Sequence, residues 1–306
     1  MATTPSSAIN DALKDRTRIQ TDTYAEILRL LGLAQEQIAG ILKAAPSDYQ
    51  SWSLPQLSAA IEQAMVDFSA AGSAIVGTAA GRMWENGQSL VDLPIQAGGI
   101  RLATVMPNID NRQLLAMRAF TTGRIKDIST TTANKINSQL GLVVIGAQSP
   151  GDAIISVRGL LEGNAKNRAR TIVRTELGSV FSAAGFQRML DAKANGVNIK
   201  KKWLESGKVH ARPGHNAMHG KVLELEDPFL LLGMDGNTHK LMHPHDPKAP
   251  ASEKINCGCV VVPVIDFSKP IVVGNLSYQS ALTSTIPDGV DLAEFNRQEL
   301  AGRSNS

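Results

Sequence analysis

The 306-residue chain sets 31 Lys and Arg against 28 Asp and Glu, a net charge of +3, so overall charge gives no general attraction to nucleic acid and only local basic runs argue for it. Its residues are 43% hydrophobic but only 4% aromatic, so the core must come from Ala, Leu, Ile and Val, which suits helix-on-helix packing better than a β-sandwich. No apolar run approaches the ~20 residues that cross a bilayer, Met1 to Asn10 lacks the basic-then-apolar pattern of a signal peptide, and two cysteines in Cys-x-Cys spacing do not make a disulfide framework, which reads as a reduced, cytosolic protein.

Residues 1–21 are polar and rich in Ser and Thr, and read as a flexible N-terminal arm. A helical region over 22–148 follows. Thr23 and Glu26 have capping-box spacing, and Ile27, Leu30, Leu31, Ile38, Ile41 and Leu42 keep a helical stripe that Pro46 ends. A second helix opens at Ser53 with Pro55 in its first turn, and runs to Trp84 before Asn86-Gly87 stops it. Residues 88–109 read as irregular, and helical patterns resume over 110–120 and 124–140.

A third block spans 149–266. Ser149-Pro150-Gly151-Asp152 is a turn and helix start, a short helix follows, and 164–195 reads as one long helix ended by Gly196. The periodicity then changes. Short strands are expected at Ile199–Leu204, Lys221–Leu225, Phe229–Leu232 and Cys259–Ile265, separated by Pro213-Gly214, Asp227-Pro228 and Asp235-Gly236-Asn237. Residues 267–306 form a polar tail. The expected fold class is α+β: a mainly helical N-terminal region, a small β-rich domain containing the His and Cys residues, and an extended C-terminal tail.

Three groups of residues could carry chemistry. On the long helix, Arg170 and Arg174 share a face, and Glu176 lies beside the apolar stripe of Ile172, Val173 and Val180. A carboxylate there needs a partner. It is either a catalytic or ligand-binding group, or half of an ion pair to the β-rich block through Arg212. Next, Lys200, Lys201 and Lys202 beside Trp203 could touch phosphates and stack on a base, or could form a solvated strand edge.

Third, all six histidines lie between His210 and His245, and Cys257 and Cys259 follow. Two thiolates one residue apart can share a metal, and a tetrahedral site needs two more ligands. His215, His219, His243 and His245 are candidates, with His215, His243, Cys257 and Cys259 the favoured set for a structural zinc. The residue order His219, Asn237, His245 also matches a His-Asn-His nuclease, although Ala217-Met218 stand where an acidic or histidine partner usually precedes the first His.

Taken together, the ordered set Arg174-Thr175-Glu176, Trp203, Arg212-Pro213-x-His215, Gly220, Asp227-Pro228-Phe229, Pro244-x-Asp246-Pro247 and Glu253-x-Ile255-Asn256-Cys257-x-Cys259 resembles the Mu F-like head morphogenesis family. These are the minor head proteins of tailed bacteriophages, and the resemblance covers about residues 150–265. Four departures are Gly258, where the family usually has Arg, Lys208, where an Asp shortly before Arg212 is common, His219, where the residue is commonly acidic or an amide, and His243, where an aromatic is common.

The resemblance implies a non-enzymatic, portal-associated minor head protein acting in head morphogenesis and in DNA packaging or ejection. Its implied partners are the portal protein, the major capsid protein and packaged DNA, with no membrane. It implies a place in the virion, at the head interior or portal vertex, reached through the host cytoplasm during assembly. It implies structural roles for Arg174, Glu176, Trp203, Arg212, His215 and Asn256, and a structural zinc is the one cofactor the residues suggest. Some relatives carry a toxin domain after the shared module; the ~40 residues after Ile265 are too few for one. The rival readings are a metal-dependent nuclease, an ADP-ribosyltransferase-like enzyme using Arg174 and Glu176, and a DNA-binding accessory protein.

Overall fold

A computed structural model describes residues 4–44, 54–100, 112–207, 211–268, 272–273 and 276–277. The fold is α+β. Helices α1 (Pro5–Ala44), α2 (Leu54–Ala97), α3 (Arg112–Val144), α4 (Pro150–Gly159) and α5 (Lys166–Ala194) come first, with a π-helical stretch, Leu160–Ala165, joining α4 to α5. Strand β1 (Ile199–Leu204), short helix α6 (Pro213–Asn216), strands β2 (Val222–Leu223), β3 (Phe229–Leu232) and β4 (Thr238–Leu241), short helix α7 (Ala251–Lys254) and strand β5 (Val260–Ile265) follow. Two-residue strands β6 (Val272–Val273) and β7 (Leu276–Ser277) pair with each other. The rest of the expected tail, like the turn expected at Pro46, lies outside the described residues.

The chain forms two compact units. One comprises Thr17–Met83 and Asn111–Val180; the other comprises Met1–Arg16, Trp84–Asp110 and Phe181–Ser306. The first is helical. Its core includes the apolar stripes Ile27, Leu31 and Ile38 of α1, Ile61, Met65 and Phe68 of α2, Ile125, Ile128 and Ile136 of α3, and Val173 and Leu177 of α5. The spacing of three and four residues places each stripe on one helix face.

The second unit centres on a three-stranded antiparallel sheet in the order β2–β1–β5, with Lys201 opposite Leu223 and Trp203 opposite Val261. A separate hairpin pairs β3 with β4. Val91 and Ile95 of α2, Met189 of α5, and Ile199, Trp203, Phe229, Leu231 and Val261 of the strands form its core. Arg188 of α5 holds Asp92 of α2 in a bidentate ion pair at 2.6 and 3.0 Å.

Several boundaries differ from the sequence expectation. Residues 5–21, read as an arm, are helical, because α1 starts at Pro5 rather than near Thr23. Thr4 and Ser7 cap it reciprocally: Ser7 N donates to Thr4 Oγ1 at 3.1 Å and Thr4 N donates to Ser7 Oγ at 2.9 Å. Ala8, Ala12 and Arg16 are buried at helical spacing, a stripe too small and polar to register as a hydrophobic pattern.

Helix α2 does not stop at Asn86-Gly87. Asn86 Nδ2 donates to Ala12 O at 2.9 Å, and a Cβ on Gly87 would lie 2.7 Å from Phe181 O and from Ala184 Cβ. Both residues that look like a helix stop therefore serve close packing, and 88–97, read as irregular, are helical. The two patterns over 110–120 and 124–140 are one helix, in which Thr121 and Thr122 return their hydroxyls to Met117 O and Ala119 O. Strand β4 was not foreseen. The expected start at Ser149 holds: its side chain accepts from Asp152 N.

Candidate functional site

Helix α6 brings His215 into the β-rich core. Pro213 opens that helix, and Gly214 lets its backbone lie against β3: a Cβ there would sit 2.0 Å from Leu232 O. His215 is buried, with its ring edge-on to Trp203 at 5.9 Å between centroids. On one side its Nδ1 lies 3.4 Å from Cys259 Sγ and 3.5 Å from Cys257 Sγ. On the other, its Nε2 lies 2.9 Å from Glu253 Oε2.

The cysteines sit on the loop between α7 and β5. Asn256, at φ 57°, turns the chain into that loop. This left-handed conformation is one that Asn tolerates better than most residues. Glu253 on α7 has a side chain only 1% exposed. Its Oε1 accepts from Met234 N at 2.9 Å, and Arg212 Nε lies 3.9 Å from its Oε2. Arg212 Nη2 also donates to Ile255 O at 2.7 Å, and Arg16 Nη1 of α1 donates to Gly258 O at 3.3 Å. A cavity of about 210 Å³ borders His215, Cys257 and Cys259, and is otherwise lined by Ser206, Ala211, Arg212, Asn256 and Gly258.

The electrostatics follow from this proximity. Cys257 is held below the ordinary thiol range, first by the Cys259 thiol donating to it and then by His215, against the opposing effect of burial. The same contact pushes Cys259 up. Burial pulls the His215 pKa down, but Cys257 and Glu253 outweigh it and raise it. His215, Cys257 and Cys259 each turn a ligand atom to within 4.8 Å of the other two, close enough to bind one metal ion.

Several expected residues lie elsewhere. His243 is not part of this cluster: it is buried, with Nδ1 2.8 Å from Pro244 O and its ring 5.0 Å from that of Phe186. His219 is exposed, and its Nδ1 accepts from Glu205 N at 3.2 Å. Asn237 closes a turn on Asp235, while His245 is buried, so the nuclease triplet is dispersed over separate environments. Burial first, then the charges of Arg16 and His243, pull His245 down to about 4 against the raising effect of Cys257.

Glu176 lies 3.9 Å from Arg124, and Arg212, its expected counterion, is taken up by Glu253 and Ile255 O. Arg174 is exposed and lines a cavity of about 310 Å³ with Gln20, Tyr24 and Arg170.

The lysine triplet splits by strand alternation. Lys200 is exposed and pairs with Glu224 at 2.6 Å. Lys201 is fully buried, so it is no nucleic-acid contact: its Nζ donates to Leu225 O and Met242 O at 3.0 Å each and lies over the Phe186 and Phe229 rings. Trp203 is fully buried and is a core residue. Sequence reasoning missed Arg16 and the structural weight of Glu253. Glu253 stood in the family pattern, but nothing local showed it meeting His215.

The fold and site define a class: a helical region followed by a small antiparallel β module closed around a buried His/Cys/Glu cluster. The chain belongs to the Phage Mu protein F like family of phage minor head proteins, whose model matches residues 110–262.

Among individual relatives, the chain is similar to an NAD(+)--arginine ADP-ribosyltransferase EFV of Enterococcus faecalis, 33% identical over 34% of this chain and 20% of that protein. It is similar to the uncharacterized protein YqbB of Bacillus subtilis, 37% identical over 33% of this chain and 32% of that protein. It is also similar to the minor head protein GP7 of Bacillus phage SPP1, 30% identical over 34% of this chain and 32% of that protein. The matched segment thus spans between a fifth and a third of these relatives' lengths. No solved structure matches the chain. No helix among the described residues is long and apolar enough to cross a membrane.

Proposed function

We propose that this protein is a non-enzymatic minor component of the phage head, docked on the portal and major capsid proteins, acting in head morphogenesis and in packaging or ejection of DNA. It would assemble in the host cytoplasm and end in the virion, at the head interior or portal vertex. The family match over residues 110–262 carries this reading. Two local features support it. Glu176, which an enzyme reading would need open, has a side chain 14% exposed and set beside Arg124. His219, the general base of a nuclease reading, has its Nδ1 occupied by a backbone N–H.

The test is co-purification of the full chain with portal protein and with assembled heads, with copies per particle counted. A few stable copies per head are expected. Absence from both overturns the reading.

An ADP-ribosyltransferase reading draws on the name of one relative. The shared segment accounts for 20% of that protein, which leaves most of its length to carry the named activity. Incubation of the full chain with NAD⁺ and an arginine substrate should give no transfer. Transfer abolished by Glu176→Gln would move the protein to the enzyme class.

A further inference from the structure

We propose that His215 Nδ1, Cys257 Sγ and Cys259 Sγ bind one zinc ion, with the fourth coordination position facing the adjoining cavity. The proposal is independent of the head-protein reading and rests on four observations.

The first is distance. Zinc bonds of 2.0–2.1 Å to nitrogen and 2.3 Å to sulfur, at a tetrahedral angle, set N and S about 3.6 Å apart. The observed separations of 3.4 and 3.5 Å match that edge for both sulfurs at once. A single Nδ1–H in an ordinary hydrogen bond has reason to approach one acceptor, not two equally.

The second is orientation. The Glu253 carboxylate lies 2.9 Å from His215 Nε2 and can only accept, so in the neutral ring Nε2 carries the proton and the Nδ1 lone pair faces the cysteines. A carboxylate on the far nitrogen is the arrangement that fixes the tautomer and ring angle of a metal-bound histidine. Glu253 is itself oriented by Met234 N, and it occupies no position in the ligand set.

The third is donor chemistry. Two thiolates and an imidazole, all buried, form a soft, neutral-nitrogen set that suits zinc and does not suit magnesium or calcium. Binding displaces the remaining thiol proton, so the ion replaces a crowded proton-sharing pair with two thiolates on one cation.

The fourth is access. The cavity touches all three ligands, so water can complete the tetrahedron from that side. Among the described residues His245 is a nearby alternative: it is buried and lies close enough to Cys257 for the two to shift each other's charge. His245→Ala separates the two cases and is expected to leave zinc bound.

The experiment uses the full chain, reduced and purified without chelator. Elemental analysis should give about one zinc per chain. After metal removal, Co²⁺ titration should produce a thiolate-to-metal charge-transfer band and intense tetrahedral visible bands, saturating at one equivalent and lost on adding zinc. His215→Ala and the Cys257→Ser/Cys259→Ser double variant should lose the band, while His243→Ala and His219→Ala keep it. If the cysteine variant does not fold, alkylation of the native chain replaces it: zinc should slow modification of Cys257 and Cys259 at least tenfold. Absence of the charge-transfer band, or alkylation unaffected by zinc, overturns the proposal.

Discussion

The helical unit and the β-rich unit bury polar groups in different ways. In the helical unit, the buried polar residues described are all hydroxyls, Thr23, Thr121, Ser129, Thr132 and Thr175; Thr23 donates to Ile19 O and Thr121 to Met117 O within their own helices, and Ser129 donates to Met65 O of α2. The other buried residues described in that unit are apolar, and helices satisfy their own backbone. In the β-rich unit, Lys201, His215, Asp246 and Glu253 are all buried.

The reason lies in the loops. Short strands and four-residue helices leave many buried backbone groups without a ladder partner, and buried groups must be paired. Side chains supply the partners. Lys201 takes Leu225 O and Met242 O, Asp246 takes Met242 N and Lys248 N, Glu253 takes Met234 N, and Arg212 takes Ile255 O. A module with few regular hydrogen bonds is thus specified by buried ionisable groups, and a bundle by shape.

The largest test of that contrast is Glu253→Ala. It leaves His215 and Met234 N without acceptors in a buried site, and should cost about 3–5 kcal/mol in urea denaturation. Glu253→Gln, which keeps an acceptor, should recover part of the loss. A Glu253→Ala protein within about 1 kcal/mol of the parent would break the comparison.

Lys201 gives a pH signature that the helical unit lacks. Burial, against the raising effect of Asp227, Glu226 and Asp246, lowers its pKa to about 8 from 10.5. The unfolded chain therefore binds more protons between those two values, and stability attributable to this group rises with pH across that window. Below about pH 8 the cost of the buried charge is present in full; the gain across the window is about 3 kcal/mol. Equilibrium unfolding between pH 8 and 10.5 should show the rise, and Lys201→Met should flatten it. A slope identical in both proteins would assign the effect elsewhere.

The smallest expected effect belongs to the bundle. Ile136→Val on α3 removes one methylene from a fully buried side chain and should cost about 1 kcal/mol, with no dependence on pH or added zinc. A pH-dependent loss would show that the helical unit also leans on ionisable groups.

Much of this was legible in the chain. Apolar spacing marked the helical stripes, Ser149-Pro150 marked a cap, and the change of period after Gly196 marked the strands. Clustering of His and Cys marked the region of the site. What misled were residues whose local meaning is ambiguous. Ala8 and Ala12 look like an arm until they are buried. Asn86-Gly87 looks like a helix stop until Ala12 and Ala184 fill the space beside it. Three consecutive lysines look like a surface until alternation turns the middle one inward.

The sequence by itself determined element types, because helix and strand periods and caps depend on residues a few positions apart. It also determined the composition of the site, since the ligand types occur in one stretch. Only the tertiary structure decided which histidine meets the cysteines, which lysine is buried, and that Glu253 and Arg16 support the cluster. Those outcomes depend on contacts between distant positions, such as Arg16 with Gly258, 242 residues apart. No local pattern encodes such a pairing, because many distant partners fit the same neighbourhood until packing selects one.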